Sequence, residues 1–257
     1  MVTCTLGPDH TTVSVDLLIG TVLLRPYVFG FLAAFLVAGL ADLGWRRTLM
    51  FAAWVWPLAW LAEFSSTRIG VPFGLYHYTG TTRGQELFVA NVPFMDSLSF
   101  TFLAYAAFCL ARAVVAGRRV PGPRVALLSG VLMMLLDLVI DPNAVRGDRW
   151  FLGRIFYYPD GGLYFGVPLS NFAGWVTVGA LAVGGYLFFS RGAAGARVWP
   201  GVALYYAVLL FNLAVAAFIG EWVLVAVGTA IHTVAGAAVW SVSHRPAARL
   251  GLENQRA

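Results

Sequence analysis

The chain has 257 residues, of which 60% are hydrophobic and 11% charged, with a mean hydropathy of +0.77. A soluble domain carries about a quarter of its residues charged, so too little polar surface remains for a water-soluble globule, and lipid is the expected solvent. All 17 basic residues are arginine. Without a lysine no retinal Schiff base can form, which excludes a rhodopsin whatever the helix count.

A helical span needs ~20 apolar residues, so the length predicts about seven spans plus loops in a single all-α integral membrane domain, 1–257. The alternating short strands of a membrane β-barrel are absent. The N-terminus lacks the basic region of a signal peptide, and the first apolar run is therefore expected to be retained.

In chain order, spans are expected at about 17–41, 48–64, 93–115, 124–141, 166–190, 198–218 and 221–241. Arg25-Pro26 interrupts the first. It reads either as one span or as an interfacial helix over 13–24, within the N-terminal segment 1–24, followed by a span from Tyr27 to Leu43. The turn near Gly220 is short and predicts a tight helical hairpin. Eleven arginines fall on one side with the C-terminus and six on the other, so the positive-inside rule favours N-out, C-in, with 242–257 a cytoplasmic tail and the cell (inner) membrane as location. Ten of the 12 acidic residues, all but Asp42 and Glu253, are expected on the outer side or within the outer half of a helix. Two long connections, 65–92 and 142–165, hold much of that asymmetry. Loops of this length are usually functional or disordered, and these are too aromatic to be disordered.

The fourth span ends Leu135-Leu136-Asp137-Leu138-Val139-Ile140-Asp141-Pro142. Asp137 and Asp141 share a helix face, with Asp137 one turn deeper. A carboxyl at that depth faces the bundle interior and is a functional candidate by default. Low dielectric and a like-charged neighbour would keep one of the pair protonated, a usable general acid; the plainer alternative is an arginine partner for Asp141. Glu63 closes the second span at the same membrane face, where the helix dipole disfavours an anion. Asp96 and Asn171 begin the third and fifth spans there, at positions that also suit helix capping. The loop segments 72–79 and 156–168 add tyrosines and phenylalanines on a backbone fixed by glycine and proline. Such a mouth suits a long apolar ligand or a cationic intermediate.

Other chemistries are set aside. His10, His77, His232 and His244 show no ligand spacing, which argues against a di-iron oxygenase. Neither a phosphate-binding glycine loop nor an Asp-rich diphosphate motif is present. Ser65, Ser66 and Ser97 lack a histidine nearby in sequence, and Cys4 and Cys109 suggest neither a disulfide nor a metal site.

Glu63 followed by Gly70-Val71-Pro72-Phe73-Gly74-Leu75-Tyr76-His77-Tyr78-Thr79 resembles the carotenoid-biosynthesis membrane family that contains the bacterioruberin-pathway and γ-carotene hydratases of the CruF type. So do Arg25-Pro26-Tyr27, Asn91-Val92-Pro93, Asp137-Leu138 with Asp141-Pro142, and Gly161 to Pro168 with Asn171-Phe172 and Gly174-Trp175. The resemblance covers about residues 25–240. His77 departs from the acidic or other polar residue expected there.

The resemblance implies addition of water across the terminal double bond of an acyclic ψ end group, giving a tertiary alcohol. That reaction needs no metal, nucleotide, oxygen or other cofactor. Its partners are a carotenoid, water and membrane lipid, with other carotenoid-synthesis enzymes nearby and no nucleic acid. Asp137 would then donate the proton, with Asp141 or Glu63 positioning water. Phe73, Tyr76, His77, Tyr78, Asp96, Tyr164, Asn171 and Trp175 would surround the substrate, which could be lycopene, γ-carotene or a C50 carotenoid. A lycopene cyclase, quenching the same cation internally, and a non-enzymatic carotenoid or lipid carrier are the alternatives. A secondary transporter would show an inverted repeat, which the sequence lacks.

Overall fold

The computed structural model describes residues 15–192 and 195–243, side chains beyond 237 excepted. Cys4, His10, His244 and the tail from 244 lie outside the described residues. Eight α-helices follow in order: α1 (Val15–Leu24), α2 (Pro26–Asp42), α3 (Trp45–Ile69), α4 (Phe94–Val114), α5 (Gly122–Ala144), α6 (Leu169–Phe189), α7 (Trp199–Phe218) and α8 (Trp222–Ser243). Four short strands, β1 (His77–Tyr78), β2 (Phe88–Val89), β3 (Val92–Pro93) and β4 (Phe156–Tyr157), lie in the two long connections.

Helices α4, α5, α6 and α7 are long and apolar enough to cross a membrane, and α1 with α2 makes a fifth span if the bent pair counts as one. The two axes meet at 93°. Arg25 leaves helical geometry (φ −126°, ψ 49°) and Pro26 starts α2 at its first position, where its missing N–H costs nothing. The first apolar run is thus broken as the second of its two sequence readings has it.

Helix α4 is the central post. Residues 100–109 are all buried, and α2, α3, α5, α6 and α7 pack around it. The closest helix pair is α5–α6, where small residues meet. A Cβ at Gly130 would stand 2.3 Å from the Val176 carbonyl oxygen, and one at Gly179 would stand 2.9 Å from Gly130 Cα. In an apolar solvent such close backbone approach is the main way helices adhere.

The two long connections are not independent. β1 pairs antiparallel with β4, His77 opposite Tyr157 and Tyr78 opposite Phe156, while β2 pairs with β3. A buried ion pair locks them to the helix break. Arg25 Nε and Nη2 bind Glu86 at 3.2 and 3.0 Å, Nη1 binds the Leu152 carbonyl at 2.5 Å, and the Thr82 hydroxyl also reaches Glu86. Both charged side chains are fully buried. An arginine inside an apolar run must be paired in this way.

Candidate active site

The face of α5 that meets α6 runs Gly130, Met133, Asp137, Asp141 at helical spacing. The facing side of α6 carries Asn171, Trp175 and Gly179. Because glycines bring the helices close, the Asn171 side chain spans the gap. Its Nδ2 donates to Asp137 Oδ2 and to Asp141 Oδ2, each at 2.7 Å. Both amide hydrogens are thereby used on one carboxyl pair. The two carboxyls stand one helical turn apart on α5, joined through that amide. Asp137 is fully buried, and its Oδ1 has no partner.

A second pair of carboxyls stands opposite. The Tyr78 hydroxyl donates to Asp96 Oδ2 at 2.7 Å and lies 3.4 Å from the Tyr76 hydroxyl. Glu63, buried in α3, sits within interaction range of Asp96, Ser97, Asp141 and Tyr78, with Oε2 unpartnered. Burial, and after it the charges of Asp96 and Glu63, push the Tyr76 and Tyr78 phenols well above their usual range. They therefore remain hydrogen-bond donors. The loop that carries them is seated by Gly174, where a Cβ would lie 2.6 Å from Phe73 Cδ1 and 2.7 Å from the Pro72 oxygen. The Ser66 hydroxyl receives the Phe73 N–H at 2.9 Å.

These groups border a cavity of about 870 Å³, its open mouth included. One end holds Glu63, Asp96, Asp141, Asn171, Tyr76 and Tyr78 beside Phe73, Phe100 and Trp175. There Phe100 and Trp175 stack at 4.5 Å and 17°. The cavity then passes α4 to an aromatic arm of Tyr27, Phe31, Phe102, Trp150 and Phe211. Tyr27 stacks on Phe211 at 5.2 Å.

Of the residues singled out in the sequence, Glu63, Phe73, Tyr76, Tyr78, Asp96, Asp141, Asn171 and Trp175 line this cavity. Asp137 stands behind Asp141. His77 is exposed, its ring 5.9 Å from that of Tyr157, and neither it nor Tyr164 borders the cavity. Three local readings are corrected. Glu63 does not end its helix, because α3 continues to Ile69 and closes on left-handed Gly70; the dipole argument falls away. Pro142 lies within α5, so Asp141 is inside the helix. Asp96 and Asn171 cap nothing: the N-cap positions are Pro93 and Pro168, and both side chains turn inward instead.

Of the arm residues, Tyr27 was quoted only within the Arg25-Pro26-Tyr27 motif, and Phe31, Phe102, Trp150 and Phe211 went unmarked in the sequence, since an interior aromatic and a lipid-facing one look alike. The Arg25–Glu86 lock was marked by one signal, a charge in an apolar run.

The arginines are spent elsewhere. Among the described residues the ion pairs join Arg25 to Glu86, Arg112 to Asp42, and Arg146 and Arg149 to Glu221. The side-chain donors to Asp96, Asp137 and Asp141 among those residues are an amide and a phenol. The described residues show no cluster suited to a metal ion. The arrangement can hold a proton beside an aromatic, largely apolar space, give it up, and take one back on a different oxygen.

No solved structure matches the chain. Bisanhydrobacterioruberin hydratase of Haloarcula japonica is 34% identical over 149 residues, 58% of this chain and 47% of that protein, so the match spans about half the relative's length. The sequence model of a family described as "Carotenoid biosynthesis protein" matches residues 15–237. The chain belongs to that carotenoid biosynthesis family.

Proposed function

We propose that the protein is a carotenoid hydratase, a hydro-lyase that adds water across the terminal double bond of an acyclic ψ end group. One observation carries this reading. Three carboxyls, Glu63, Asp96 and Asp141, line one end of an aromatic cavity with Asp137 behind Asp141, and among the described residues none of the four is paired with an arginine.

An isolated alkene has no acidic proton and no electrophilic carbon, so it must be protonated at carbon. The resulting tertiary cation must be stabilised and then met by water. Asp141 delivers the proton, being the member of its pair that lines the cavity; Asp137, the donor expected from depth, pairing and helix face, is its partner, held by the same Asn171 amide. The carboxyls are close enough that two full charges would repel strongly, and one shared proton relieves that. The faces of Trp175, Phe100 and Phe73 stabilise the cation. Glu63, with Asp96 and Tyr78 beside it, orients the water and takes its proton. No cofactor enters these steps. The aromatic arm takes the conjugated chain.

Topologically, α2 to α8 form seven spans, N-out and C-in, with α1 on the membrane surface and the domain resident in the cell membrane. The apolar wall equally suits a cyclase, in which the neighbouring double bond quenches the same cation. Expression in a lycopene-accumulating bacterium separates the two by mass. Hydration adds one water to the pigment, and a pigment of unchanged mass would refute the hydratase reading.

A further inference from the structure

We propose that the aromatic seam between α2 and α7 is a lateral port through which a membrane-dissolved carotenoid reaches the cavity, with Phe151 as its outer sill. The port rests on the hydratase reading for its substrate and adds to it the route and a further binding residue.

The cavity is unevenly walled. On the loop side Tyr76, Phe156 and Tyr158 line it, all three buried, with ring centroids 5.5, 5.7 and 5.8 Å apart. The β1–β4 pairing, together with the Arg25 bonds to Glu86 and the Leu152 carbonyl, holds that cover in place. A polyene approaching there would also exchange lipid for water along its apolar length, which is costly.

The arm differs. Tyr27 and Phe31, one turn apart on α2, meet Phe211 of α7 at 5.2 and 5.6 Å. With Trp150, these cavity-lining rings are only half-buried. Phe151 continues the row outward. It packs on Tyr27 at 5.5 Å and on Trp150 at 4.9 Å, does not border the cavity, and is 61% exposed. At Tyr27 one ring therefore stands between the cavity and an exposed side chain. Exposed aromatics are common at a membrane interface, but a belt residue has no need to join a row that runs into an acid-lined cavity.

The seam is also built to part. Glycines bring α5 and α6 into backbone contact, the tight mode of helix packing in lipid, whereas α2 and α7 meet here through rings. The side chains of Phe31, Phe151 and Phe211 have no hydrogen bond to break, and rotamer changes of exposed side chains are fast. Trp150 is the fixed jamb, its indole donating to the Asn143 carbonyl at 3.0 Å. The occupant is the conjugated polyene, which exchanges lipid tails for ring faces without meeting water.

The test uses the full-length protein in lipid vesicles containing lycopene. A diazirine-bearing residue replaces Phe151 or, for comparison, Leu181, a 52% exposed position on α6. On irradiation the diazirine loses dinitrogen and the carbene adds across a polyene double bond, so the adduct has the mass of protein plus carotenoid less dinitrogen. Adduct at 151 should saturate with lycopene, whereas adduct at 181 should rise in proportion to the lycopene in the membrane. Phe151→Ala should raise KM roughly two- to tenfold, the worth of one aromatic contact, with kcat and thermal unfolding unchanged. Phe151→Leu should recover most of that loss, and Phe151→Glu should raise KM further. Adduct at 151 that fails to saturate, or wild-type KM in both Phe151→Ala and Phe151→Glu, would overturn the port. Labelling reports binding alone, so pigment of unchanged mass beside a saturable adduct at 151 would sink the hydratase reading and keep the port.

Discussion

Buried carboxylates at the two ends of the bundle are treated in opposite ways. Asp42, at the end of α2, receives Arg112 Nη1 at 2.6 Å and Nη2 at 3.3 Å, the Arg197 N–H at 2.8 Å and the Tyr105 hydroxyl at 3.3 Å. At the other end, Asp137 and Asp141 share the amide of Asn171, and Asp96 takes a phenol. A carboxylate against a guanidinium is a fixed charge, useful as a clamp. A carboxyl held by neutral donors can carry a proton and release it. Burial alone therefore does not separate a clamp from a carboxyl able to exchange a proton; the charge of its partner does.

The contrast breaks first at Asp141. Asp141→Asn keeps the size and one acceptor of the side chain, so thermal unfolding should stay near wild type while hydration falls about 10²–10⁴-fold, measured as hydrated pigment per unit of membrane protein. Arg112→Ala should do the reverse. Leaving Asp42 buried without its cation should cost about 3–5 kcal/mol of stability, read by unfolding in detergent, with the folded fraction turning over normally. If Arg112→Ala abolished activity without loss of stability, or Asp141→Asn unfolded the protein, the division between clamp and acid would be wrong.

Much of the acid end was legible in the sequence. A four-residue spacing places Asp137 and Asp141 on one face, and carboxyls in so apolar a run have nowhere cheap to point but inward. The break at Arg25-Pro26 was equally legible, since a proline and a charge within an apolar run oppose the same stretch of helix. What lay hidden depended on distant contacts. Glu63 looked terminal because Ser65 and Ser66 end the apolar run, yet α3 continues for six more residues, with Ser66 buried and its hydroxyl accepting the Phe73 N–H. The pairing of Tyr78 with Phe156 joins two-residue strands far apart in the chain, too short to leave a periodic trace. Phe211 and Tyr27 meet across two helices that nothing local connects.

Two smaller effects sharpen the picture. Gly174→Ala places a methyl against Phe73 and Pro72. It should displace the Tyr76–Tyr78 loop, lower kcat a few-fold and cost about 1–3 kcal/mol of stability, because the methyl meets backbone. Phe211→Ala removes the ring that stacks on Tyr27 in the arm, so it should raise KM for a long polyene with kcat nearly intact. A fall in kcat with KM unchanged would instead place Phe211 at the reacting end.

The most direct measurement is isotopic. The purified protein in vesicles turns over a ψ-ended carotenoid in heavy-oxygen, deuterated water under ordinary oxygen gas, and the product is analysed by mass spectrometry. Acid hydration predicts one labelled oxygen on the tertiary carbon and one deuterium on the adjacent carbon, both absent with Asp141→Asn. A product lacking the oxygen label, whether cyclised at unchanged oxygen content or oxygenated from the gas, would contradict the account.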